Sequence, residues 1–440
     1  MSPILIGILG FVVMVILSLL EVPIFVSLGL VGVVGLILTA GFTTAMGIIG
    51  SLPFAVLANY GLAVVPLFFL MGQVAGLAGI VKDAYDAVYK WTGGIRGGLA
   101  MATIIGSAFS AATMGSSVAN AALFTRVAYP EMLKYKYDKS FSLACIASSG
   151  TFAVMIPPSI LFVVYGIVTE ESIGRLLIAG VFPGILTAIV YLISIWMRCK
   201  WNPKLAPAPM IKYTTGEKFR SVFRLWGIIV LFVLVFGGMY LGWFTPSAGA
   251  AIGASGAFLL ALGRRMLKRS TVGQLCFETI QGIGPLTAIL IGGFFLGRFL
   301  VLSGFVESIV QFVTVDLKLS PLAIIGLLAV MYIILGALME EMSMTLVTLP
   351  FVYPLVKHLG YDGIWFGVVY VKLCQLGMIF PPIAINLFVV AGAAGKDASV
   401  VDVIRGIWPF IILEIIVLAV LIMYPYISLY LPSKMYGIQG

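Results

Sequence analysis

Residues 151–168 read TFAVMIPPSILFVVYGIV, an apolar stretch with two prolines, Pro157 and Pro158, at its centre. Each proline lacks a backbone donor, and each ring clashes with the preceding helical turn. In hydrocarbon, a freed backbone group finds no water to bond with. Such a break is tolerable only where protein or a polar cavity surrounds it. The stretch therefore demands a helix broken inside a larger membrane body.

The rest of the chain supplies that body. Of 440 residues, 61% are hydrophobic and 10% charged, and mean hydropathy is +1.15. That composition cannot clothe a water-soluble globule. Apolar segments near 4–20, 23–40, 61–81, 173–198, 222–241, 245–263, 283–306 and 405–427 fit bilayer crossings. Pieces 43–58 and 270–282 read as shorter segments along the interface, and 83–91 mixes charges and aromatics as an interfacial helix does. The first apolar run lacks a basic leader and reads as a retained helix. The net charge of +9 reports topology rather than nucleic-acid binding, because the positives sit in loops. The loop at 199–221 and the run GRRMLKRS, with Arg264, Arg265, Lys268 and Arg269, are predicted cytoplasmic by the positive-inside rule. Both termini then fall on the extracytoplasmic side. Cys145, Cys199, Cys276 and Cys374 show no metal-ligand spacing, and the lone His358 makes no metal or triad site.

The double proline recurs. Tyr129-Pro130, Tyr137-Asp138 and Pro157-Pro158 match Tyr353-Pro354, Tyr361-Asp362 and Pro381-Pro382, all at an offset of 224 residues. Four full crossings separate the two broken tracts, so the second half enters from the opposite side. The expected fold is an all-α polytopic membrane protein of about ten crossings plus two re-entrant hairpins, arranged as two inverted repeats. The first repeat is 1–198, with a hairpin at about 97–129 and a broken helix at 138–169. The second is 222–430, with a hairpin at about 321–354 and a broken helix at 362–395.

Polar residues gather at these interruptions. The first hairpin is expected to turn near ATMGSSVANAA, where Gly115 loosens the chain and Ser116, Ser117 and Asn120 offer oxygens. Facing it, Ser148, Ser149, Gly150, Thr151 and Ser159 surround the first break. Neutral hard oxygens suit a weakly held monovalent cation such as Na⁺ better than a divalent one. Helix packing by small residues explains part of the same pattern. In the second half, Glu340 and Glu341 sit at the expected hairpin turn, and Lys372, Gln375 and Asn386 lie along the broken helix. An ionisable residue at membrane depth is a functional candidate. Lys372 pairs with Glu340 or Glu341, binds a substrate carboxylate, or forms a structural bridge between hairpin and helix.

The runs YDKSFSLACIASSGTFAVMIPPSILFVVYGIVTEESIGRLLIAG and PFVYPLVKHLGYDGIWFGVVYVKLCQLGMIFPPIAINLFV closely resemble the large membrane (permease) subunit of tripartite ATP-independent periplasmic (TRAP) transporters, the DctM-like family. The resemblance covers essentially the whole chain. It implies the ion-transporter fold, with a scaffold and an elevator-like transport domain. It also implies inner-membrane localisation, Na⁺ as coupling ion, and no other cofactor. The implied partners are a small four-helix membrane subunit and a periplasmic substrate-binding protein. Substrates of the family are organic anions such as C4-dicarboxylates, sugar acids and keto acids. By resemblance, Ser116, Ser117, Gly150 and Pro157 mark a first cation site, which Ser149 adjoins; Gly336, Gly377 and Pro381 mark a second, which Glu340 adjoins. Asn120, Glu341, Lys372 and Asn386 are the substrate or ion-pair candidates.

The chain departs from the family pattern in places. Met339-Glu340 stands where Met-Asp is common, Phe380 where a threonine often precedes the second double proline, and Lys372 where an asparagine is usual. A channel or a non-transporting assembly subunit is the rival reading. Nothing in the sequence resembles a metal-ligand cluster, a nucleophile triad or a phosphate loop, so no enzyme is expected.

Overall fold

The computed structural model describes residues 2–20, 22–207, 213–267, 269–396 and 398–435. Lys212 and Lys268, two of the loop positives, lie outside the described residues. The described chain is helical throughout. Among the described residues, seven helices are long and apolar enough to cross a membrane. The number is eight when Lys139–Met155 and Ile160–Thr169, bent by 43° at the break between them, form one span. Pro3–Leu19 and Ile24–Ala40, both expected as spans, are apolar helices of 17 residues.

Side-chain periodicity explains how each span sits. In the helix Val181–Trp201, Ile185, Ile189, Ile193 and Trp196 are exposed, while Thr187, Tyr191 and Ile195 are buried. The exposed apolar stripe suits lipid, and the opposite stripe packs inward. The helix Val400–Met423 repeats the pattern, with Trp408, Ile412 and Ile416 outside and Phe410, Glu414 and Leu421 inside.

One expectation fails in a telling place. Residues 270–282 do not form a piece separate from 283–306; Arg269–Leu302 is one helix of 34 residues, with Pro285 inside it. Gly282, Gly284 and Pro285 are residue types that weaken or interrupt a helix, but packing overrides them. A Cβ on Gly282 would lie 2.3 Å from the Phe69 ring, and one on Gly32 would lie 2.6 Å from the Leu296 nitrogen. Small residues thus let neighbouring helices grip the long one on both sides of its proline.

The basic loops converge at one end. Arg264 Nη1 meets Asp83 Oδ2 at 2.6 Å, and Trp91 Nε1 donates to Lys218 O at 3.1 Å. Asp138 N donates to Leu205 O at 3.0 Å, and Lys139 Nζ meets Asp402 Oδ2 at 2.9 Å. These contacts knit the segments that the charge pattern assigns to the cytoplasm. The amphipathic helix Ile80–Thr92 lies among them.

Each interrupted tract is a pair of antiparallel helices. The first pairs Gly98–Met114 with Ser117–Lys134. The second pairs Pro321–Leu338 with Glu341–His358. The broken tracts are Lys139–Gly150 with Phe152–Met155 before Ile160–Thr169, and Gly363–Gly377 before Ile385–Ala394. The Pro157–Pro158 and Pro381–Pro382 peptide bonds are both cis.

Candidate functional site

The first hairpin turns on Gly115, whose φ of 62° is left-handed and favours glycine. Ser116 then caps the second arm, its Oγ accepting from Ala119 N at 3.4 Å. Across the hairpin, Asn120 Nδ2 donates to Ser107 Oγ at 2.9 Å and to Gly150 O at 3.3 Å. Ser107 Oγ donates in turn to Ser149 O at 2.7 Å. The hairpin is therefore stitched to the carbonyls just ahead of the first break. A Cβ on Gly150 would come within 2.7 Å of Ala121 Cβ, which accounts for the glycine by close packing.

The hydroxyls around the break are occupied. Ser149 Oγ donates to Ile146 O at 3.0 Å, Ser148 Oγ to Ala144 O at 2.8 Å, and Thr151 Oγ1 to Ser148 O at 2.8 Å. Ser159 Oγ donates to Val154 O at 2.5 Å and accepts from Phe162 N at 3.3 Å. It satisfies a carbonyl on one side of Pro157 and Pro158 and caps the helix on the other. Pro157 itself is buried.

Ser117 does not face Gly150. Its Oγ lies 3.2 Å from Asn386 Oδ1 and 3.3 Å from Met378 Sδ, so the first hairpin tip meets the second break. The two broken helices also touch directly, through Gln375 Nε2 donating to Thr151 O at 2.8 Å. In the second hairpin, Tyr332 and Thr348 hydroxyls meet at 2.8 Å across the arms. Thr345 Oγ1 and Tyr370 OH, 2.6 Å apart, tie the hairpin to its broken helix. Gly336 and Gly377 touch so closely that a Cβ on either would lie 2.8 Å from the other's Cα. Pro381 is half-buried beside the exposed Pro382 and Ile383.

Glu340 caps its own helix, Oε2 accepting from Met342 N at 3.0 Å and Ser343 N at 3.3 Å. Glu341 is 2% exposed and the Ser117 amide faces its carboxylate, yet its Oε2 has no hydrogen-bond partner. Lys372 pairs with neither glutamate. Its Nζ bridges to Glu414 on the helix Val400–Met423 and donates to Thr187 Oγ1 at 2.8 Å. Tyr191 OH donates to Glu414 Oε1 at 2.5 Å. All four side chains are buried. Sequence reasoning missed Glu414, although an acid in the apolar middle of a helix of 24 residues is itself a signal.

Both hairpin tips border one cavity of about 1020 Å³. Gly115, Ser116, Glu340 and Glu341 line its inner end; Lys82, Asp86, Tyr89 and Glu131 line the part toward the basic face. Burial raises the Asp86 carboxyl above its ordinary value, and Lys82 opposes the shift. Two buried amide oxygens, Asn120 Oδ1 and Gln375 Oε1, lack partners beside Gly150 and Thr151. These are hard neutral ligands. Among the described residues no group of three or more His, Cys, Asp or Glu is placed to hold a metal ion.

Comparison with known proteins agrees with this geometry. The family profile "Tripartite ATP-independent periplasmic transporter, DctM component" matches residues 11–427. The C4-dicarboxylate TRAP transporter large permease protein DctM of Pseudomonas aeruginosa is 31% identical, over 85% of this chain and 87% of its own length. The protein of the same name in Vibrio cholerae is 29% identical over 97% of both chains. The sialic acid TRAP transporter large permease protein SiaM of Vibrio cholerae is 27% identical over 86% and 88%. The fold resembles the Alcanivorax borkumensis YdaH transporter, with a TM-score of 0.63 at 13% identity over 100% and 99% of the two chains. It also resembles Neisseria gonorrhoeae MtrF, with a TM-score of 0.61 at 13% identity over 98% and 95%.

Proposed function

The chain belongs to the DctM component family of tripartite ATP-independent periplasmic transporters, and from that premise we propose that it imports an organic anion across the inner membrane, driven by Na⁺. It is a multi-pass membrane transporter subunit, not a member of an enzyme family. A periplasmic binding protein delivers the anion, and a small membrane subunit completes the complex. Relatives named for C4-dicarboxylate, sialic acid and 2,3-diketo-L-gulonate support the substrate class.

One observation carries the reading. The first hairpin tip meets the second helix break through Ser117 with Asn386, and the two hairpin tips meet each other through Glu341 with the Ser117 amide, beside one large cavity that Ser116 and Glu341 line. Paired broken helices around a central site suit alternating access. The offset of 224 residues, spanned by the Thr151–Gln375 hydrogen bond, supports two inverted repeats, 1–198 and 222–430, about ten crossings and extracytoplasmic termini. Hairpins and broken helices form the moving unit of an elevator. The first cation site centres on Asn120, Gly150 and Gln375, with Ser116, Ser149 and Pro157 shaping its wall, while Ser117 turns to the second break. The second lies near Gly336, Glu340, Gly377 and Pro381.

The test is uptake in proteoliposomes that hold both membrane subunits. Accumulation against a gradient, requiring binding protein and external Na⁺, is the expected result. Downhill flux alone identifies a channel. No flux under any imposed gradient, with an assembled complex and the binding protein's own ligand, identifies an assembly subunit.

A further inference from the structure

The crossing that begins at Thr215 is longer than a membrane core needs. The helical run Thr215–Tyr240 has 26 residues. About 20 residues span the ~30 Å of hydrocarbon, so its first turns stand at headgroup depth. Phe219, Phe223, Trp226, Val230 and Val233 are all exposed along it. Steps of four and three residues keep them on one side. That stripe suits an acyl chain, and it begins among cations: Lys218, Arg220 and Arg224 flank its first turns.

The neighbouring helix Ile80–Thr92 widens the patch. Trp91, 43% exposed, packs edge-on against Phe219 at 5.7 Å and donates to Lys218 O at 3.1 Å. Exposed Ile95 and Arg96 follow it. The positive charge here is unspent: among the described residues, Arg96, Lys218, Arg220 and Arg224 form no ion pair. The acids of the same segments are engaged. Glu217 accepts from the Thr214 amide at 2.9 Å and hydroxyl at 2.8 Å, and Asp83 holds Arg264 at 2.6 Å. Asp86 lines the cavity and acts on Arg224 only through space. Exposed aromatics anchor such a surface at the edge of the membrane, and unpaired cations beside a crossing attract anionic headgroups.

We propose that this patch binds an anionic phospholipid, its phosphate held by Lys218, Arg220 and Arg224 and an acyl chain laid along Phe223, Trp226 and Val230. Cations and apolar stripe are continuous on one helix, and only a ligand with both a charged head and an apolar tail uses both. The site also adjoins the cavity wall, since Tyr89, a lining residue on Ile80–Thr92, meets the Tyr213 ring at 5.9 Å.

Lipid binding tests this without any assumption about transport. The delipidated complex of the two membrane subunits, in neutral detergent, is titrated with phosphatidylglycerol and phosphatidylcholine of identical acyl chains, and bound lipid is counted by native mass spectrometry. The expected result is a roughly tenfold preference for phosphatidylglycerol that falls as salt rises. The triple variant K218Q/R220Q/R224Q abolishes the preference by weakening phosphatidylglycerol alone. The charge-conserving K218R/R220K/R224K keeps it, which guards against a folding defect. Equal affinity for the two lipids, an undiminished preference in the glutamine variant, or no phosphatidylglycerol on the assembled complex overturns the proposal. So does displacement of the lipid by soluble glycerol phosphate, which would make the patch a site for a free phosphate.

Discussion

At the first double proline, Pro157 and Pro158 are buried, and Ser159 donates to Val154 O at 2.5 Å across the break. At the second, Pro382 is exposed and Ile383, the counterpart of Ser159, is 52% exposed. No side chain caps the helix that follows, whose N-cap is Ala384. Asn386 N donates to Met378 O at 3.3 Å across the prolines, and the side-chain ties come from elsewhere: Asn386 on Ser117, Phe380 against Trp408 at 6.3 Å, and Lys372 on Glu414. Both breaks take hydrogen bonds from distant elements, but only the first also has a side chain of its own, Ser159, to satisfy a carbonyl across the prolines and cap the following helix. A break held by distant contacts responds when those elements move, which is what a gate requires.

The strongest test of that contrast is Lys372→Met. It leaves Glu414 charged and buried with only Tyr191 for company, and losing one partner of a buried pair costs about 3–5 kcal/mol. A large fall in the thermal unfolding midpoint of the detergent-purified protein is expected. The double variant K372M/E414M recovers most of it, because two apolar side chains leave no orphan charge. Ser148, the counterpart of Lys372 in the first half, bonds only within its own helix, at 2.8 Å to Ala144 O. Ser148→Ala is therefore expected to change the midpoint far less. Equal losses at the two positions would remove the contrast.

Gly377→Ala comes next. Its new methyl would meet the Gly336 Cα at 2.8 Å and the Tyr332 carbonyl at 3.1 Å, both backbone atoms that yield poorly. Overpacking of this kind costs about 1–3 kcal/mol. The counterpart Ala153 already carries a methyl and is fully buried, so the close approach belongs to the second half alone. Loss of Na⁺-dependent uptake with little loss of thermal stability would show that the contact serves the site more than the fold.

Ser159→Ala should cost about 1 kcal/mol, since it removes a helix cap and a carbonyl's donor together. Ile383→Ser is the converse: it offers the second break the device that the first one has. If the second break must yield during transport, I383S stabilises the protein and slows uptake. Faster uptake in I383S, measured at saturating substrate, would reverse the assigned roles.

Much of this was legible in the chain. The double prolines marked both breaks, and Gly115 and Glu340-Glu341 marked the two turns to within a residue. Local chemistry writes such features: a missing donor, a left-handed φ, an acid at a helix start. The partners of Lys372 were not legible, because Thr187, Tyr191 and Glu414 come from helices far along the chain. Nor was the direction of Ser117, which the resemblance grouped with Gly150 and Pro157 and packing turned to the second break. The continuous helix through Pro285 was hidden for a similar reason, since close packing against Phe69 at its own Gly282 and against Gly32 of a neighbouring helix is not written in the local sequence.

The smallest effect concerns the tie between the halves at the basic face. Lys139, which starts the first broken helix, meets Asp402 at 2.9 Å, and Asp402 also accepts from the Ser399 amide at 2.9 Å and hydroxyl at 2.7 Å. The lysine first, and the serine after it, hold the Asp402 carboxyl well below the usual carboxylate range. A carboxyl held low in the folded state stabilises above its unfolded value of about 4, and the contribution fades as pH falls through the folded one. Between pH 7 and 5 this tie should therefore contribute a constant amount. Its loss belongs to stronger acid, and high salt should weaken it, because the pair is partly exposed. Asp402→Asn should lower the unfolding midpoint slightly and equally at pH 7 and pH 5. If D402N instead matched the wild type at pH 5 and fell below it at pH 7, the carboxyl would be titrating in that window, and Lys139 would not be holding the first broken helix to the helix Val400–Met423 at the basic face.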